Sequence, residues 1–127
     1  MGDKKSTLDQ VKKKIREFVR ERDWEQFHSP KNISMSIAVE AAELMEHFQW
    51  LTEEQSRDLL KDKNKREEIE DELADIAIFI LDFCNLFNIE FEEIIKTKLK
   101  KTAGKYPAHL VKGKTHKYTY YKDVEKS

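Results

Sequence analysis

The chain is 127 residues long, which suits one domain with a single core. Charged and hydrophobic residues each make up 39%, and a formal net charge of −1 sets up no global field for nucleic acid or an anionic membrane. Only 3 glycines and 2 prolines interrupt it, which argues against strands joined by tight turns and predicts an all-α fold.

Met1-Gly2-Asp3-Lys4-Lys5 lacks the apolar stretch of a signal peptide. Thr7-Leu8-Asp9-Gln10 can form a capping box that opens a first helix to about Asp23. Leu8, Val11, Ile15, Phe18 and Val19 recur with a period near 3.6 and give that helix one apolar stripe. Residues 24–29 read as a connector. Ser29 followed by Pro30 supplies an N-cap with proline at the first helical position, for a second helix to about Gln49.

Thr52-Glu53-Glu54-Gln55 is a second capping box, opening a short helix to about Lys61. The next helix is predicted from about Lys65 to Phe87. Its second half is apolar on almost every side, so it is either central to a bundle or part of a subunit interface. Cys84 lies in that run as a small buried hydrophobe, and a lone cysteine suits a reducing cytosol. No apolar run is long enough to span a bilayer, so a cytoplasmic protein is expected.

Asn88 to Glu90 ends the long helix, and a last one is predicted over about 91–103 with Gly104 as its C′ residue. From Lys105 no helical period is sustained. Residues 96–117 hold eight lysines, two histidines and no acidic residue, which reads as a solvated basic face or as cations for phosphate groups. The expected architecture is one domain over 1–127, resembling a four-helix bundle with an extra short helix. Its core lies at about 7–104, with an irregular basic segment over 105–127.

Two carboxylate pairs stand out against this background. Glu40/Glu43 and Glu72/Asp75 each have i,i+3 spacing, so each pair projects from nearly one helix face. Both pairs lie inside apolar stretches, where a carboxylate is costly unless a cation or donors compensate it. Converging from two packed helices, they would make an all-oxygen site for a hard divalent cation such as Mg²⁺. Salt-bridged structural residues, or helix positions at the edge of the buried face, are the alternatives.

Mg²⁺ often completes its shell with substrate phosphates, and phosphoanhydride cleavage needs charge neutralisation and an aligned water. Gly2, Gly104 and Gly113 stand alone, so no glycine-rich phosphate loop exists and a metal-centred design fits better. Di-iron chemistry requires Glu-x-x-His on two helices, which the chain does not offer. His47, four residues after Glu43, is placed at the rim.

Glu40-x-x-Glu43 followed after 28 residues by Glu72-x-x-Asp75 resembles the signature of MazG-type all-α nucleoside triphosphate pyrophosphohydrolases. The likeness extends through Arg22-Asp23-Trp24-Glu25-Gln26-Phe27-His28, Pro30, Asn32 and Phe48-Gln49-Trp50. Tyr106-Pro107-Ala108-His109-Leu110, Gly113 and Lys117-Tyr118-Thr119 continue it, to about residues 8–119 in all, and the flanks point to the short dCTP pyrophosphatase branch.

The resemblance implies Mg²⁺-dependent hydrolysis of a nucleoside triphosphate to the monophosphate and pyrophosphate. Glu40, Glu43, Glu72 and Asp75 match the metal ligands, with Glu43 also taken as catalytic. Trp24 and Trp50 match base-pocket aromatics, although on their own they could equally anchor helix ends. Lys98, Lys105 and Tyr106 match positions that face the phosphates. A homo-oligomer is implied, a tetramer more than a dimer, with no membrane or nucleic-acid partner.

Three positions depart from the dCTP-hydrolysing pattern. Ile15, Phe79 and Thr102 stand where those members carry a histidine, a tyrosine and an asparagine, and polar contacts give the large discrimination factors. Asp82 adds a carboxylate where relatives are apolar, expected to reshape the site or to pair with a lysine across an interface. Two rival functions follow from other classes: a nucleotide sensor without efficient hydrolysis, and a structural bundle whose lysines bind nucleic acid.

Overall fold

A computed structural model describes residues 2–114, so Lys117-Tyr118-Thr119 and most of the basic C-terminal segment lie outside the described residues. Every regular element among the described residues is helical, as the composition predicts. In chain order these are α1 (Gly2–Lys5), α2 (Leu8–Glu21), a 3₁₀ turn (Glu25–Phe27), α3 (Pro30–Glu46) and α4 (Glu53–Leu59). After them come α5 (Lys63–Leu86), α6 (Phe91–Lys105) and α7 (Ala108–Val111). One compact unit ends at Ile89 and a second begins at Glu90.

The predicted caps are present. Thr7 and Gln10 exchange capping-box hydrogen bonds at the start of α2, and Thr52 and Gln55 do so at the start of α4. Ser29 Oγ accepts from the Asn32 amide ahead of Pro30, and Asn32 Nδ2 donates to the Phe27 carbonyl. These bonds satisfy first-turn amides that a helix leaves without partners. Asp62, which sequence reasoning passed over, caps α5 by accepting from the Lys65 amide, so the helix begins two residues earlier than predicted.

Helix ends follow the backbone. Asp23 (φ 53°) and Asn88 (φ 55°) sit in the left-handed region that turns the chain after α2 and α5, and both residue types tolerate it. Around Asp23 the Trp24 amide reaches the Val19 carbonyl at 3.1 Å, and past Asn88 the Ile89 amide reaches Cys84 at 2.9 Å. α3 stops at Glu46 rather than Gln49, and α4 at Leu59 rather than Lys61. Gly104 is not a C′ residue but lies in the last turn of α6, whose cap is Tyr106. Pro107 explains that stop, since proline drives the residue before it out of helical geometry. Beyond it α7 adds one helical turn inside the stretch expected to be irregular.

In the first unit α5 packs chiefly on α3 and also on α2. Ile15 and Val19 of α2, Ile33 of α3, and Ile69, Leu81 and Cys84 of α5 are buried. Polar ties add to this seam: Lys12 Nζ donates to the Ile89 carbonyl, Asn85 Nδ2 to the Lys12 carbonyl, and Arg16 to Asn85 Oδ1. The apolar second half of α5 is only partly used. Ile78 remains exposed there, as do Leu73 earlier in α5, Phe87 at its cap, and Met35, Val39 and Met45 of α3.

The second unit carries α6 and α7. α6 opens with Glu92 and Glu93, which suit the positive end of its dipole. Ile94, Ile95 and Leu99 are exposed on it.

Ile33, only 1% exposed, is the most deeply buried large side chain of the first unit. Ile33→Ala is expected to cost about 2–5 kcal/mol in urea unfolding, the range for emptying a core isoleucine. A cost below about 1 kcal/mol would mean that α3 and α5 are held together elsewhere.

Candidate active site

Glu40 and Glu43 lie in the C-terminal half of α3, and Glu72 near the middle of α5. The packing of α3 on α5 brings one carboxylate oxygen from each of the three within 4.8 Å of one another. Oε2 of Glu40 and Oε2 of Glu72 are buried and take no hydrogen bond among the described residues. Orphaned oxygens facing other oxygens need a cation or a proton. The donor set is all hard oxygen, which fits Mg²⁺ and gives no footing to soft metals.

The electrostatics agree with that geometry. Burial first, then the neighbouring Glu43 carboxylate, with Glu72 and Asp75 adding, pushes the Glu40 carboxyl from 4.5 up to about 7. The Glu72 carboxyl is also raised, by burial first and then by Glu43, with Glu40 partly opposing and Asp75 adding. Like charges this close cannot all ionise freely. The protons they retain belong to the cluster rather than to one residue.

Asp75 stands one turn beyond Glu72 on α5 and is outside the group of three, yet its charge reaches both Glu40 and Glu72. His47, the cap of α3, places Nε2 at 3.9 Å from Glu72 Oε1, at the rim of the cluster.

Asp75 also lines a cavity of about 440 Å³, with Phe18, Trp24, His28, Phe79 and Asp82 among its walls. Trp24 packs edge-on to Phe18 at 5.7 Å between ring centroids and leaves 42% of its surface open. An exposed aromatic face beside a cavity can stack on a base. Trp50 behaves differently. It is 87% exposed and is not on this wall, so neither tryptophan anchors a helix end in the core.

Asp82 is buried, and its Oδ2 lies 2.6 Å from His28 Nδ1, an ion-pair contact without the angles of a directed hydrogen bond. Burial raises the Asp82 carboxyl while His28 pulls it back. Of the two expectations for Asp82, reshaping the site fits its place on the cavity wall beside a histidine of the same chain. Spacing could not reveal that contact, because His28 and Asp82 are far apart in sequence and meet only when the connector folds onto α5.

Lys98 is exposed on α6, Lys105 is the last residue of that helix, and half-buried Tyr106 is its cap. All three belong to the second unit.

Residues 35–121 match the MazG-like family. The chain is 33% identical over 113 residues to dCTP pyrophosphatase 1 of Bos taurus, covering 89% of this chain and 67% of that protein. The enzyme of the same name in Homo sapiens is 32% identical, with 89% and 66% covered. The chain therefore spans about two thirds of the length of these curated relatives. A solved structure of a pyrophosphatase from Archaeoglobus fulgidus is also similar, with a TM-score of 0.74 at 36% identity, covering 79% of this chain and 92% of that one.

The carboxylate cluster makes stability depend on pH. The folded Glu40 value of about 7 lies above its ordinary 4.5, so the folded chain holds more protons between the two. Without metal, this contribution is fully present below about pH 4.5 and is lost as pH rises through about 7. Glu40→Gln should raise the metal-free Tm by a few degrees at about pH 8 and change it far less at about pH 5. Equal shifts at both would show that neither burial nor the neighbouring carboxylates perturb Glu40.

Proposed function

Because the chain belongs to the MazG-like family, we propose that it is a Mg²⁺-dependent nucleoside triphosphate pyrophosphohydrolase, releasing monophosphate and pyrophosphate. The observation that carries this reading is the meeting of Glu40, Glu43 and Glu72 with two buried oxygens lacking partners. Relatives named dCTP pyrophosphatase and pyrophosphatase support the reaction class and suggest a pyrimidine deoxynucleotide. Nucleotide-pool housekeeping is the matching role.

Glu40, Glu43 and Glu72, with Asp75 at the edge, would hold Mg²⁺. The ion would supply charge neutralisation for the triphosphate and a more acidic water. Everything else falls to side chains. Glu43 accepts the proton of the attacking water, taking the role of general base. Trp24 stacks on the base and, with Phe18 and Phe79, keeps its cavity dry. Lys98, Lys105 and Tyr106 meet the phosphate oxygens, where lysine acts as a point charge. Water adds to the phosphorus on one side of the α–β bridge, that phosphoanhydride bond breaks, and the departing pyrophosphate or nucleoside monophosphate carries the electron pair.

The working form is a homo-oligomer, a tetramer in preference to a dimer. Leu73 and Ile78 of α5 and Val39 and Met45 of α3 support this, being apolar yet exposed. Trp50 would find its ligand or its packing in that assembly. No helix among the described residues is long and apolar enough to cross a membrane. A cytoplasmic location completes the proposal.

A panel of deoxynucleoside triphosphates incubated with Mg²⁺ is expected to yield monophosphate and pyrophosphate. Orthophosphate as the first product would reject the reaction, and tight binding without product would favour a sensor. Glu43→Gln and Asp75→Asn should each lower kcat by about 100-fold or more with an unchanged helical spectrum. Near-normal turnover in the double variant would remove these residues from the site.

Metal binding should also release protons, since the raised Glu40 and Glu72 carboxyls must ionise to coordinate. Calorimetric titration with Mg²⁺ near pH 6.5, repeated in buffers of different ionisation enthalpy, should show heats that depend on the buffer. Heats independent of buffer would mean that the cluster is already fully ionised.

A further inference from the structure

We propose that Asp82 is a specificity-determining residue, whose carboxylate accepts a hydrogen bond from the exocyclic amine of the substrate's base. This rests on the pyrophosphohydrolase reading above and deepens it by naming the class of base. Asp82 is 2% exposed, and it lies on the same cavity wall as Trp24 and Asp75. A base stacked on Trp24 would therefore share its cavity with one buried carboxylate and with the edge of the acidic cluster.

The polar groups around that carboxylate narrow its role. Oδ2 is sealed from solvent against His28 Nδ1 at 2.6 Å. Oδ1 is not sealed, and it accepts no hydrogen bond among the described residues. His28 thus occupies one oxygen of the carboxylate and leaves the other as an acceptor for a ligand. Phe79, on the same wall, brings neither donor nor acceptor. Asp75, His28, Ser36 and Asp82 are the polar residues of this wall, and Asp82 is the buried carboxylate among them, where an unmade hydrogen bond costs most.

One acceptor suits one amine. Cytosine and adenine carry a single exocyclic amine, while the adjacent N–H donors of guanine call for both oxygens of a carboxylate. Thymine and uracil present a keto oxygen where cytosine has its amine, and that oxygen would face the carboxylate with like partial charge. A buried acceptor facing such an oxygen loses its bond and keeps its desolvation cost.

The simpler role for the pair is a strut that fastens residues 24–29 to α5. A strut would change stability, and turnover of all substrates together, without altering their ratio. The selectivity ratio therefore separates the two.

With the full chain and Mg²⁺, kcat/KM for dCTP should exceed that for dTTP and dUTP by about tenfold or more, the worth of one hydrogen bond to a charged acceptor. Asp82→Asn should bring the ratio near unity or invert it, because an amide can donate to the keto oxygen. The triphosphate of deoxyribosyl pyrimidin-2-one, which lacks the amine, should lose a similar factor on the unaltered chain, whether or not the variant folds. No preference in the unaltered chain, or a preference unchanged by the analogue, would overturn the assignment while hydrolysis stands. If no triphosphate is cleaved, the proposed activity fails, and binding of dCMP against dTMP still decides the base contact. Equal affinity for the two would refute it.

Discussion

Three carboxylates held closer together than their charges allow are the constraint on which the rest depends. Glu40, Glu43 and Glu72 converge only because α3 lies against α5. The repulsion among them opposes that packing, and the burial of Ile33 and Ile69 helps to offset it. The molecule thus holds its acidic cluster in tension between apolar attraction and like-charge repulsion. A bound cation would relieve that tension and so would join metal binding to stability in a single balance.

The cavity beside the cluster follows from the same packing. α5 contributes Glu72 to the acidic group, Asp75 to the boundary, and Phe79 and Asp82 to the cavity. Successive turns of one helix thereby run from the acidic group to the aromatic cavity. The connector between α2 and α3 closes the other side with Trp24 and His28. Its path is set by the left-handed Asp23 and by the bond from Asn32 to the Phe27 carbonyl.

Much of this was legible in the sequence because the signals are local. Capping boxes at Thr7 and Thr52 and the Ser29-Pro30 start depend on residues three apart, and they are found where spacing puts them. The i,i+3 pairs likewise announced which faces the carboxylates occupy. Less local features escaped. Asp62 was missed as a cap because no apolar residue follows it directly. Gly104 suggested a helix end that Pro107 sets two residues later. The contact between Asp82 and His28 depends on tertiary folding, which no periodicity encodes.

The stretch joining α3 to α5 has a different kind of freedom. Residues 47–62 supply none of the three converging oxygens, and α4 within it has no buried residue. Lengthening that stretch would leave the acidic groups in register, since each is fixed by its own helix. Shifting α5 by a single residue would instead swing Glu72 by about 100° about the helix axis. The span between the two helices can therefore change length without moving the acidic groups, whereas an insertion or deletion inside either helix would turn them out of register.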